Sequence, residues 1–159
     1  MMIFADPSKP SRLSALLHVY WRLTRGMTLG VRACVVNREG HILLIRHSYT
    51  PGWHFPGGGC EVGQTLADAL VTELREEANV VMDAAPRLFG IYHNARTAPR
   101  DHVALYLVEA WHQPAAPVPN REIVEHGFFA RDALPEGTTR GTRERIEELF
   151  EGRAASPIW

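Results

Sequence analysis

Three glutamates, Glu73, Glu76 and Glu77, stand three and four residues apart directly downstream of a Pro56-Gly57-Gly58-Gly59 loop. On a helix, residues at those spacings share a face. Clustered carboxylates repel one another and raise each other's pKa, and a bound divalent cation reverses that cost. Mg²⁺ and Mn²⁺ are hard ions that take oxygen ligands, often alongside substrate phosphates. The glycines let backbone approach a ligand closely or adopt positive φ. Phosphate chemistry assisted by a metal is the reaction class that such a set of residues suits. Glu-Leu-Arg-Glu-Glu alone also fits an ordinary solvated helix surface.

The element that must position these carboxylates is a helix over residues 66–78. Thr65-Leu66-Ala67-Asp68 reads as a capping box, and Asn79 tolerates the left-handed conformation that ends helices. At about 100° per residue, Ala67, Leu70, Val71, Leu74 and Ala78 form an apolar stripe. Glu77 and Glu73 border that stripe, while Asp68 and Arg75 point away.

Around this unit the pattern predicts strands over 29–36, 42–45, 53–55, 88–93, 103–111 and 123–129, and a helix over 140–151. The run Ile42-Leu43-Leu44-Ile45 reads as a central strand buried on both faces. Hairpin-length links among the first strands favour an α+β fold, an α-β-α sandwich in which a central mixed β-sheet is flanked by helices. Residues 11–25 form an amphipathic helix that is expected to pack on its own domain, with a homodimer contact or a membrane surface as alternatives. The expected organisation is a tail plus helix over 1–27, one domain over 28–152 and a short tail over 153–159.

The 159 residues suit one domain with one substantial core. A net charge of −1 provides no field for nucleic acid or anionic membrane. Lys9 is the one lysine among 17 basic residues, so arginine, with its bidentate fork, carries nearly all the positive charge. Cys34 and Cys60 make no disulfide framework. No apolar run is long enough to span a bilayer. Asp6, Lys9 and Pro10 interrupt any apolar stretch at the N-terminus, so a cytoplasmic location is expected.

With these residues in place, the chain resembles the Nudix hydrolases of MutT type. Gly58, Glu73, Leu74, Glu76, Glu77 and Val80 match the family's box in register, and Trp53, Pro56, Gly57, Glu122, Glu125, Phe128 and Phe129 extend the likeness over about residues 28–150. Three positions depart from it: Gln64 stands where the family has Glu, Thr72 where it has Arg, and Asn79 where it has Gly. A compensated Gln64–Thr72 contact is the expectation, because losing one of two opposite charges would strand the other.

The resemblance implies hydrolysis of a diphosphate linkage in a small nucleotide-like substrate, a nucleoside diphosphate derivative, by water attack on phosphorus. It implies Mg²⁺ or Mn²⁺ held by Glu73, Glu76, Glu77 and the Gly57 carbonyl, with Glu73 or Glu76 as base. Glu122 and Glu125 stand as further candidates for a base. Gly58 and Gly59 lie where substrate would pass. Arg32 and Arg46 are each either a phosphate grip or a surface charge. Trp53 either stacks on a base or fills the core; His47, Tyr49 and His54 flank the same loop. His93, Asn94, Arg100, Asp101 and His102 form a polar loop that would shape the pocket.

The markers that separate subgroups are out of register: Arg96 stands where a proline would mark ADP-ribose, and Pro99 and Tyr92 are displaced. Nucleoside triphosphates, nucleotide sugars and ADP-ribose stay open. A non-catalytic nucleotide-binding module of the same fold is the alternative. A prenyl diphosphate isomerase would need a cysteine placed where Cys60 is not.

Overall fold

The computed structural model describes residues 12–159; the tail expected over residues 1–10 lies outside them. Elements follow in the order α1 (Arg12–Thr24), β1 (Thr28–Val35), β2 (Ile42–His47), α2 (Leu66–Ala78), β3 (Val81–Met82), β4 (Arg87–His93), β5 (Asp101–Val108), β6 (Trp111–His112), β7 (Ile123–Phe129) and α3 (Arg140–Phe150). The strands pair in the orders β1-β5-β4, β2-β7 and β3-β6. β1 runs parallel to β5 and β4 antiparallel to it, so the sheet is mixed.

Side-chain alternation along β1 sorts the core into two layers. Val31, Ala33 and Val35 pack with Leu70, Leu74 and Ala78 of α2. Cys34 faces the opposite layer, with Leu105, Leu107 and Ile146 of α3. The expected α-β-α arrangement is therefore formed by α2 and α3. Ile42 to Ile45 are buried as their uninterrupted apolar run predicts.

α1 departs from expectation. Leu16, Tyr20 and Leu23 are 68, 58 and 73% exposed, so these apolar residues are not buried on their own domain. Its periodicity specified a helix but not what covers it. The C-terminal residues also differ from the expected tail. Pro157 and Trp159 bond along His93 of β4, and the Trp159 ring packs edge-on against Tyr92. The strand expected over 103–111 is two strands, β5 and the short β6.

The glycine loop is held along the second edge of β1. Val31 N–H donates to Gly58 O at 2.9 Å, Ala33 N–H to Pro56 O at 2.9 Å and Cys60 N–H to Leu29 O at 2.8 Å. At Gly57 φ is +137°, and a Cβ there would stand 2.1 Å from Val31 O. Only glycine lets the loop lie this close to the strand.

Candidate active site: the glycine loop and the α2 glutamates

Both ends of α2 form as its sequence specifies. Thr65 accepts from Asp68 N–H, Asp68 accepts in return from Thr65 N–H, and Asn79 closes the helix at φ 51°. The buried face is Ala69, Leu70, Leu74, Glu77 and Ala78, whereas Ala67 and Val71 are exposed. The helix is thus rotated from the expected stripe in a way that carries Glu77 fully inside.

Glu77 is 6% exposed, and its Oε2 accepts a 2.6 Å hydrogen bond from Gly57 N–H. Burial pushes its pKa up to about 8, against the pull of that hydrogen bond and of Arg32. Glu73 is half-buried with its carboxylate against Gly58, where an added Cβ would meet Oε1 at 2.3 Å. Burial, then Glu76, raise the Glu73 pKa. Glu76 itself is exposed on the outer turn.

Arg32 donates through one nitrogen to Phe55 O at 2.9 Å and to Gly57 O at 2.6 Å. Burial lowers its pKa while Glu77 and Glu73 oppose the shift, which places the guanidinium in the field of both carboxylates. Arg32, Gly58 and Gly59 line a cleft of about 620 Å³ whose far wall includes Asn94, Asp101 and Trp159. Of the polar loop, Asn94 and Asp101 reach the cleft; His93 stacks on His102 instead, with ring centroids 5.0 Å apart.

Two sequence candidates face elsewhere. Arg46 pairs with Glu125 at 2.8 Å on the exposed side of β2, so it is a surface ion pair and not part of the cluster. Trp53, partly buried, packs edge-on against Phe129 and against the core on the α3 side. The expected Gln64–Thr72 contact is also absent. Gln64 Oε1 accepts from Glu61 N–H, and Thr72 Oγ1 donates to Asp68 O. Each neutral side chain is satisfied within its own element, so the two departures do not compensate through one another.

Glu122 does join the glutamates. His47, Glu77 and Glu122 each offer a ligand atom within 4.8 Å of the others. Tyr49 O–H donates to Glu122 Oε1 at 2.7 Å and fixes that carboxylate. His47 is 7% exposed; burial first, then Arg32, pull its pKa down to about 4, leaving the imidazole neutral at neutral pH. The sequence placed His47 and Tyr49 beside the loop but not as partners of the glutamates. The available signal was a histidine closing an apolar strand run. Alternation along β2 puts it on the buried face, but its meeting with Glu77 and Glu122 is a long-range contact that one sequence does not reveal.

A divalent cation of the kind the sequence implies fits this donor set. A desolvated carboxylate, a buried imidazole whose Nε2 stands 3.5 Å from Glu77 Oε1 and a second carboxylate already oriented are groups that a cation would satisfy.

A mixed sheet flanked by two helices carries a glycine loop that sets Gly57 against Glu77 and Gly58 against Glu73. The NUDIX domain model matches residues 26–150, and the chain belongs to the Nudix family. It is 32% identical over 72 residues to an ADP-ribose pyrophosphatase of Methanocaldococcus jannaschii, covering 43% of this chain and 42% of that protein. It is 42% identical over 57 residues to an RNA pyrophosphohydrolase of Coxiella burnetii, covering 35% of this chain and 25% of that one. The chain therefore spans less than half the length of either of these curated relatives. Among solved structures, a MutT Nudix hydrolase from Burkholderia pseudomallei aligns with TM-score 0.66 at 27% identity, covering 77% of this chain and 97% of that one. An ADP-ribose pyrophosphatase from Streptococcus suis aligns with TM-score 0.62 at 28% identity, covering 81% and 94%.

Proposed function

We propose that the chain hydrolyses a diphosphate linkage in a nucleoside diphosphate derivative with the help of Mg²⁺ or Mn²⁺. The observation that carries this reading is Glu77: a buried carboxylate tied to the glycine loop, in the field of Arg32, which with Gly58 lines a cleft of about 620 Å³. That volume suits a small nucleotide-like molecule. Relatives named for ADP-ribose and RNA pyrophosphate cleavage support the reaction class.

Glu77, Glu73 and the Gly57 carbonyl would hold the ion, with Glu122 on its far side, and exposed Glu76 would add an outer ligand or take the water proton in place of Glu73. When bound, the cation neutralises phosphate oxygens and lowers the pKa of an attacking water. Glu73, with its pKa raised, accepts the proton as the water oxygen bonds to phosphorus and the other phosphate departs with the bridging oxygen. The Arg32 guanidinium faces the cleft with donors left over to grip a phosphate. The loop amides of Gly58 and Gly59 allow the substrate backbone-close approach.

The test is phosphate release from a panel including ADP-ribose, nucleoside triphosphates and nucleotide sugars, with and without Mg²⁺. Cation-dependent turnover of at least one substrate is expected. Binding without turnover of any of them, with either cation, would replace this reading by a nucleotide-binding module.

A further inference from the structure

His47 has no role in the chemistry described so far, yet it is among the most constrained polar side chains of the chain. Alternation along β2 puts His47 on the face of Leu43 and Ile45, both buried, while Arg46 is exposed on the other. The imidazole therefore enters the protein, with its side chain 5% exposed, and pairs with Ile123 where β7 carries one extra residue, Val124. Once inside, the ring makes no strong polar contact. Nδ1 is buried without a hydrogen-bond partner. Nε2 lies 3.5 Å from Glu77 Oε1. A buried polar atom without a partner costs about 1–3 kcal/mol, so it calls for an explanation.

The geometry points to His47 as a nitrogen ligand of the divalent cation held between Glu77 and Glu122. The three donors lie within 4.8 Å of one another, and bonds of about 2.0–2.2 Å allow at most about 4.4 Å between donors, so a small inward movement of the side chains closes them on one ion. The two carboxylates are already anchored on their other sides, Glu77 by Gly57 N–H and Glu122 by Tyr49 O–H. On the remaining side, His47 Nε2 stands 3.5 Å from Glu77 Oε1, and Glu122 offers an oxygen to the same group of donors. Imidazole is a softer donor than carboxylate and suits transition-metal ions better than Mg²⁺. The site is therefore tuned toward Mn²⁺ or Co²⁺ over Mg²⁺. This inference rests on the proposed cation site, but its test does not depend on turnover.

The experiment is pulsed electron paramagnetic resonance of Mn²⁺ bound to the full chain carrying ¹⁵N-labelled histidine, with His47→Gln as comparison. The parent is expected to show coupling to a directly bound histidine nitrogen, and His47→Gln to lose it. Affinity for Co²⁺, read by competition against Mn²⁺, is expected to fall about tenfold or more in His47→Gln, with a smaller loss for Mg²⁺. Bound Mn²⁺ with no nitrogen coupling in the parent would overturn the assignment, as would coupling that survives in His47→Gln. Failure to bind Mn²⁺ would overturn it as well. Cation-dependent hydrolysis without nitrogen coupling would sink this inference alone. Coupling in a protein that hydrolyses nothing would sink the proposed reaction alone.

Discussion

Glu77 on α2 and Glu148 on α3 are carboxylates buried to nearly the same depth, 6 and 7% exposed, on opposite sides of the sheet. Their surroundings differ in kind. Glu148 accepts from Arg145 at 2.6 Å, from Tyr92 O–H at 3.0 Å and from Ser156 N–H at 2.9 Å. Arg145 is itself fully buried, lies 4.3 Å over the Tyr92 ring and ties down Ile158 O. That cluster gives the buried carboxylate a cation from the chain itself, with Arg145 Nε left unpartnered, and holds the C-terminal residues in place. Glu77 has one backbone donor, no arginine or lysine within ion-pair distance among the described residues, and a histidine that leaves a nitrogen unpartnered. A buried charge with its cation supplied by the chain is architecture; one without it awaits a cation from outside.

The largest expected effect breaks the comparison at Glu77. Glu77→Gln keeps the shape and removes the charge, so cation-dependent hydrolysis should fall about 10³-fold, or roughly 4 kcal/mol of transition-state stabilisation. Its metal-free melting temperature should hold or rise. Steady-state kinetics and thermal melts on the same preparations check both halves.

Arg145→Met should do the reverse. It leaves Glu148 buried without its cation, and unfolding free energy should drop by about 3 kcal/mol. This is the low end of the usual range because Tyr92 and Ser156 still donate to the carboxylate. Turnover per folded molecule should stay near that of the parent. Urea melts alongside active-fraction kinetics separate the two quantities.

A third expectation concerns pH. The folded-state pKa of Glu77, about 8, lies above its ordinary value of 4.5. The folded chain therefore binds the proton more tightly than the unfolded one, and this group's contribution is complete below about pH 4.5 and lost as pH climbs toward 8. Metal-free protein should melt at progressively lower temperature over that interval, at roughly 2–4 °C per kcal/mol. Glu77→Gln should flatten the trend, and added Mg²⁺ should raise the melting temperature more at pH 8 than at pH 5. A parent and variant with the same pH slope would show that Glu77 is not the strained group.

The smallest effect is at Arg46. Its pairing with Glu125 is exposed, so Arg46→Ala should cost under about 1 kcal/mol. kcat/KM should stay within about twofold. A tenfold loss would return Arg46 to the list of phosphate ligands.

Much of the fold was legible because it rests on periodicity and caps. The α2 start at Thr65, its left-handed stop at Asn79 and the buried run Ile42–Ile45 all follow from local residue types. The glutamates were legible as a group, but their depths were not. Glu77 is buried and Glu76 exposed because α2 settles with Ala69 inward and Val71 outward, a rotation of the helix fixed by packing on β1. His47 depends on its meeting with Glu77 and Glu122, 30 and 75 residues away in sequence, and Trp159 on contacts with His93 and Tyr92 that lie 66 and 67 residues away. Such long-range pairings leave little trace in a local pattern. α1 is the converse case, a helix clearly written in the sequence whose apolar side chains find no cover among the described residues.

Crystals grown with Mn²⁺ and measured for anomalous scattering give the most direct test. A peak within bonding reach of a Glu77 carboxylate oxygen, between the glycine loop and Glu122, is the predicted result. Well-ordered Mn²⁺ bound elsewhere, with Glu77 left bare, would contradict the account.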